Sequence, residues 1–208
     1  MTFLFLSIAC IKEMTTVVAF DISLRSPAVV VFSSKGWSLG AFAQTKKDMQ
    51  TVLSNETFRL TVFPVIDSSL SDLRRYKIIE SSLVSKSLVP LLADHEDIQF
   101  VFEGYAFSPR KMGFTYKLHE LTGIIKYSIS TLYPTSKISS IPPSVWKRSV
   151  LGNTRASKVD VCNFVDKVDG VDMCTVFGHS QKRDRTGNKI VRSPVHDICD
   201  AMAIAMSV

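Results

Sequence analysis

Apolar runs closed by an acid recur along this chain. Val17-Val18-Ala19-Phe20 is a short apolar run ending in Asp21, the pattern of a buried strand. Residues 28–32 predict a second strand, Ser34-Lys35-Gly36 a turn and residues 37–43 a third strand. Together they predict an antiparallel three-stranded meander. Residues 44–66 carry no clear period and read as a short helix with an irregular connection. From Ser69 the spacing becomes helical. Leu70, Leu73, Tyr76, Ile79, Leu83, Leu88 and Leu91 form one stripe, and Arg74, Arg75, Lys77 and Lys86 the opposite face. Residues 98–102 predict a fourth strand, again closed by an acid, Glu103.

A helix is expected over about residues 114–131, with Leu118, Leu121, Ile124, Ile125 and Ile129 inward and Gly123 allowing close packing. Residues 137–141 predict a fifth strand. Pro142-Pro143 ends it and opens a short helix at residues 144–147. The turn at residues 152–158 leads into another helix with Val159, Val161, Cys162 and Val165 apolar. Residues 169–192 read as a loop. Ser193 and Pro194 suit the N-cap and first position of a last helix rich in small apolar residues. This order of elements predicts an α/β fold, a mixed five-stranded sheet flanked by helices. No repeat or second domain is visible, so residues 17–208 are expected to form one domain behind an extension, residues 1–16.

Residues 1–10 are apolar but lack the preceding basic residues of a signal peptide and are too few to span a bilayer. Met14 lies just before the first strand. The expectation is that translation starts there, or that residues 1–13 are loosely attached, in a soluble, intracellular, non-secreted protein. Cys10, Cys162, Cys174 and Cys199 contain no CxxC pair. Cys162, Cys174, His179 and Cys199 match no standard zinc spacing, so reduced, mostly buried thiols are expected. The formal net charge of +6 suits an anionic partner, and nucleic acid is the usual one.

The acids change the picture most. Asp197 and Asp200 lie three apart, on one face of the last helix. At about 4 Å and an effective dielectric near 20, two unit charges repel by about 4 kcal/mol. Such a pair is either solvated beside the positive helix N-terminus, protonated, or neutralised by a cation. Asp21 and Glu103 close strands, and ligands bind at such carboxyl edges. With the first and fourth strands adjacent, all four acids meet. Oxygen-only ligands suit Mg²⁺ or Mn²⁺, and two such ions about 4 Å apart serve phosphodiester hydrolysis. Tyr105 and Phe107, interleaved with Arg110 and Lys111, form either a base-stacking, phosphate-holding loop or an ordinary one. Lys182, Arg183 and Arg185, with Lys189 and Arg192, form either a solvated loop or a phosphate-gripping arm. Gly152 stands alone, so its turn is not a Walker loop.

Two segments carry a resemblance. Ser144-Val145-Trp146-Lys147-Arg148-Ser149-Val150-Leu151-Gly152-Asn153-Thr154-Arg155-Ala156-Ser157-Lys158 is similar to a lysine, valine, glycine, alanine, lysine segment. Asp197-Ile198-Cys199-Asp200-Ala201-Met202-Ala203-Ile204-Ala205 resembles a D-x-x-D-A-x-A-I-A ending. Both belong to the RuvC family of Holliday-junction resolvases, within the ribonuclease H-like fold, and the resemblance covers residues 17–206. It implies that Asp21, Glu103, Asp197 and Asp200 hold two Mg²⁺ ions, with Mn²⁺ able to substitute. It implies that Lys147 and Lys158 lie near the DNA, with Lys158 stabilising phosphate charge; the alternative for both is a solvated helix face, and Arg155 is a further candidate DNA contact. It further implies a homodimer that nicks two symmetry-related strands of a four-way junction.

There are departures. No glycine follows Asp21 in Asp21-Ile22-Ser23-Leu24-Arg25, and residues 44–68 are longer than the family pattern. Tyr105 and Phe107 do not align cleanly with the family's junction-probing aromatic. Glu103-Gly104-Tyr105-Ala106-Phe107 is similar to virus- or phage-encoded relatives. Other branched or RNA-containing substrates fit the same acids. A non-catalytic DNA-binding module would lack one of the four, and none is missing. A sugar-kinase or actin-like ATPase needs two such domains and glycine-rich phosphate loops, and this chain has neither.

Overall fold

In the computed structural model, residues 15–50, 58–104, 112–177 and 191–208 are described. The extension up to Met14, and Tyr105, Phe107, Arg110, Lys111, His179, Lys182, Arg183 and Arg185, lie outside the described residues. Six strands make one mixed sheet: β1 (Thr16–Asp21), β2 (Ala28–Ser33), β3 (Gly36–Phe42), β4 (Phe58–Phe63), β5 (Ile98–Glu103) and β6 (Lys137–Ile141). Their order across the sheet is β4-β3-β2-β1-β5-β6. The β1–β2–β3 meander is antiparallel as expected, and β1 runs parallel to β5 and β5 parallel to β6.

The expected five strands are six, because β4 pairs parallel with β3 from Trp37↔Phe58 to Phe42↔Phe63. β4 is an edge strand with both terminal phenylalanines buried and Arg59 and Thr61 exposed. Polar side chains therefore interrupt it, and its sequence lacks the continuous apolar signature of a strand covered on both faces.

Helix α1 starts at Asp72–Glu80, widens to π geometry over Ser81–Leu88 and closes with Val89–Leu92. Leu83 and Leu88, five apart, are both fully buried, and the Val89 N–H donates to the Val84 carbonyl, five back. The widening falls just before Pro90, whose ring would clash with the carbonyl four residues earlier in a regular α-helix. The expected stripe is corrected at its start. Leu73 is 73% exposed, and burial begins with Tyr76 and Ile79.

The remaining helices are α2 (Met112–Leu132), α3 (Pro143–Leu151), α4 (Lys158–Asp169), the short α5 (Met173–Val176) and α6 (Val195–Ala205). In α2, Leu121, Ile125 and Ile129 are buried, but a Cβ added at Gly123 would meet nothing within 4 Å. Gly123 therefore faces open space rather than a close neighbour. α5 interrupts the stretch read as loop, seated by Asp172, which accepts from the N–H groups of Cys174 and Thr175.

Strand alternation divides the core into two layers. Val17, Ala19 and Val30 point to the layer holding α3, α4, α5 and α6. Val18, Phe20, Phe100 and Phe102 point to the layer with α1 and α2. Cys162, Cys174 and Cys199 are buried in the first layer. Gly40 permits the approach of the π segment, since a Cβ there would lie 3.0 Å from Val29 and 3.3 Å from Ser87 Oγ. Among the described residues, no helix is long and apolar enough to cross a membrane.

Candidate active site

The parallel register of β1 and β5 runs from Thr16↔Ile98 to Phe20↔Phe102, which puts Asp21 and Glu103 side by side one step further on. Gly104 follows at once, and its N–H donates to the Ile141 carbonyl at 2.8 Å. Any side chain at Gly104 would press on β6 backbone atoms 3.2–3.3 Å away. α6 packs across β1, β2 and α4 and is buried along nearly its whole length. Its first turn lies over the same sheet edge and brings Asp197 and Asp200, 4% and 8% exposed, to Asp21, 8% exposed.

Ser193 does not cap α6 through its side chain. Pro194 holds the cap position, and the Ser193 hydroxyl lies 2.9 Å from His196 Nε2. His196 Nδ1 is in turn 2.7 Å from Asp197 Oδ1 and 2.8 Å from Lys158 Nζ. One imidazole nitrogen cannot make full hydrogen bonds to both, so His196 is shared between an acid and a cation. It joins the start of α4 to the start of α6. Sequence reasoning missed it, although its signal was its place beside Asp197, three residues after a serine. Trp146 was missed as well. It is fully buried on α3 and its indole N–H donates to Glu103 Oε1 at 3.1 Å.

The electrostatics follow from burial of like charges. Burial pushes the Asp21 carboxyl well above the usual range, and Asp197, Glu103 and Asp200 push it further, against the pull of Lys158. Glu103 is pushed up to about 7, first by burial and then by Asp200, while the Trp146 bond, Lys147 and Lys158 oppose the rise. Asp200 is pushed up to about 6 by burial, with Lys158, His196 and Lys147 opposing and Asp197 adding to it. The four sequence-identified acids and two of the lysines therefore share one site. Lys147 is also structural, donating to the Ala156 carbonyl at 2.9 Å and lying 5.3 Å from the Trp146 ring centre. Arg155 is exposed on the turn between α3 and α4.

The donor set fits a hard divalent cation. Asp197 Oδ2 and Asp200 Oδ1 are buried with no hydrogen-bond partner among the described residues, and buried anionic oxygens need a donor or a cation. Among the described residues, no three His, Cys, Asp or Glu side chains are drawn together closely enough, as they stand, to hold a metal ion. Asp21, Glu103, Asp197 and Asp200 are electrostatic neighbours at this edge.

Comparisons with known proteins agree with this layout. No protein-family model matches the chain, and no curated protein sequence does. Solved structures do match, and their shared class is the ribonuclease H-like α/β fold. The particular fold is that of RuvC. Thermus thermophilus RuvC is similar at 16% identity over 92% of each chain, with a TM-score of 0.53. T. thermophilus RuvC in complex with a Holliday junction substrate is similar at 15% identity over 93% of this chain and 92% of that one, with a TM-score of 0.55. The yeast mitochondrial Holliday junction resolvase Ydc2 shares 14% identity over 97% of this chain and 80% of its own, with a TM-score of 0.49.

These raised values carry a stability consequence. Glu103 and Asp200 ionise at about 7 and 6 in the folded protein, against ordinary values of 4.5 and 3.8. Between those limits the folded state binds more protons than the unfolded chain, so stability is fully present below about pH 4 and is lost as pH rises through 6–7. In EDTA, the midpoint of thermal unfolding is expected to fall between pH 5 and pH 8. Asp200→Asn should flatten that fall and raise the pH 8 midpoint by roughly 4–8 °C, equivalent to about 2 kcal/mol. Scanning calorimetry of both proteins across this range checks it, and parallel pH profiles would contradict it.

Proposed function

We propose that this chain is a metal-dependent endonuclease that resolves four-way DNA junctions by paired phosphodiester cleavage. The observation that carries this reading is the convergence of Asp21, Glu103, Asp197 and Asp200 from three elements onto one buried edge of a RuvC-like sheet. One of the similar RuvC structures contains a Holliday junction substrate, and the net charge of +6 here favours a polyanion.

In this reading the four carboxylates hold two Mg²⁺ ions, or Mn²⁺ in their place. When bound, the ions supply an activated water and charge stabilisation for the leaving 3′ oxygen. Trp146 fixes one oxygen of Glu103 so that the other faces the site. Lys158, placed by His196, faces the acids and balances negative charge that builds on the phosphate. Lys147 supports Glu103 and Asp200 electrostatically while its own position is held by Ala156.

A two-fold substrate calls for two copies of the site, and the exposed face of α1 and α2 suits the contact. Leu73 and Tyr127 stand 73% and 74% exposed around a groove floored by Gly123 and Ile124. An isologous contact needs one patch that carries both projections and a recess, and this face has both. The occupant we assign is a second copy of this chain.

Asp200→Asn is expected to lower the single-turnover rate of four-way junction cleavage in Mg²⁺ by about 10²-fold or more, with junction affinity nearly unchanged. A four-way junction, a Y-fork and a linear duplex, each tested with Mg²⁺, Mn²⁺ or EDTA, form the assay. Cleavage of the fork alone would move the substrate, and cutting in EDTA or at the wild-type rate by the variant would contradict the reading. Tyr127→Glu is expected to convert a dimer to a folded monomer in sedimentation velocity, and an unchanged dimer would place the interface elsewhere.

A further inference from the structure

A second cluster of polar groups lies on the opposite side of Glu103 from Lys147 and Lys158. It surrounds a cavity of about 310 Å³ between α2 and β6, bordered by Glu103, Gly104, His119, Thr122, Lys126 and Ser140. His119, Thr122 and Lys126 share one face of α2 by their spacing of three and four. Lys126 is the centre of the cluster. Its Nζ donates to Ser140 Oγ at 2.8 Å and lies 4.9 Å from the ring centre of Phe102, which is fully buried.

That lysine is placed unlike a surface lysine. Its stem is half-buried, and burial alone lowers its affinity for the proton. Among the described residues, no carboxylate makes an ion pair with it within 4.0 Å. An ammonium that is partly desolvated and held at one hydroxyl and one ring face is a placed cation at the cavity wall, and an anion is its natural counterpart. The Thr122 hydroxyl donates to the Leu118 carbonyl, and Lys126 is the one lysine or arginine among the described residues of the lining.

We propose that this cavity is a binding site for a backbone phosphate of the DNA strand that crosses the acids, with Lys126 as its cation. The assignment rests on the endonuclease reading and deepens it. Among the described residues the lining carries one lysine, two hydroxyls and no Phe, Tyr or Trp, a set that suits a phosphodiester. Glu103 forms the wall nearest the acids and repels an anion there, which seats the phosphate at the Lys126–Ser140 end. The strand would then be gripped on both sides of the cutting site, by Lys158 on α4 and by Lys126 on α2.

The test is binding of a fluorescently labelled four-way junction in EDTA, which stops cleavage, read by anisotropy over a range of KCl. Lys126→Met keeps an apolar stem over Phe102 and removes the charge. Its affinity is expected to fall about five-fold near physiological salt, and its plot of log affinity against log salt to become shallower by about 0.9. Ser140→Asp, at an exposed position, puts a carboxylate beside the ammonium and should give the same loss, which keeps the test decisive if Lys126→Met fails to fold. Wild-type affinity and slope in either folded variant, while Lys158→Met weakens binding, would overturn the phosphate site and leave the endonuclease reading standing. A wild-type protein that binds no DNA would overturn both.

Discussion

Burial of like charges at one sheet edge is the constraint on which the rest of this structure depends. Two parallel strands end in acids at adjacent register positions, and a helix buried almost throughout adds two more. Desolvation and mutual repulsion raise Asp21, Glu103 and Asp200 together. No folding requirement explains such a cluster, since apolar residues would fill the same edge at lower cost. The arrangement lowers stability locally, which the proposed reading explains as a site that binds cations.

The fold keeps this edge rigid. β1 is covered on both faces, by α6 on one side and the α1–α2 layer on the other, so Asp21 cannot withdraw without disturbing both layers. Trp146 and His196 complete the frame. The first ties α3 to Glu103, and the second ties the start of α4, through Lys158, to the start of α6. Positive charge therefore reaches the acids from two helices that themselves pack against one another's neighbours in a single layer. The opposite layer contributes Lys126, anchored across to β6, so the edge has cationic groups on both flanks.

Much of this was legible in the residues, for physical reasons. β1 and β5 are largely buried on both faces, so their sequences are mostly apolar and the acids at their ends, Asp21 and Glu103, stand out. The DxxD spacing on α6 placed both acids on one helical face whatever the tertiary context. What was missed depended on context. β4 is an edge strand whose polar positions mask it. Leu73 and Gly123 looked like core positions because helical spacing says nothing of where a helix first meets the sheet. Ser193 looked like a cap, but it bonds the His196 ring. His196 and Trp146 act through pairings across 38 and 43 residues, which no local pattern records.

The most direct measurement is calorimetric titration of Mn²⁺ into the protein near pH 7, repeated in buffers of different ionisation enthalpy. Two ions per chain are predicted, bound with net release of protons from the acid cluster, and Asp21→Asn is predicted to weaken binding and reduce that release. Absence of binding, or binding that Asp21→Asn leaves unaltered, would contradict the cation site at its root.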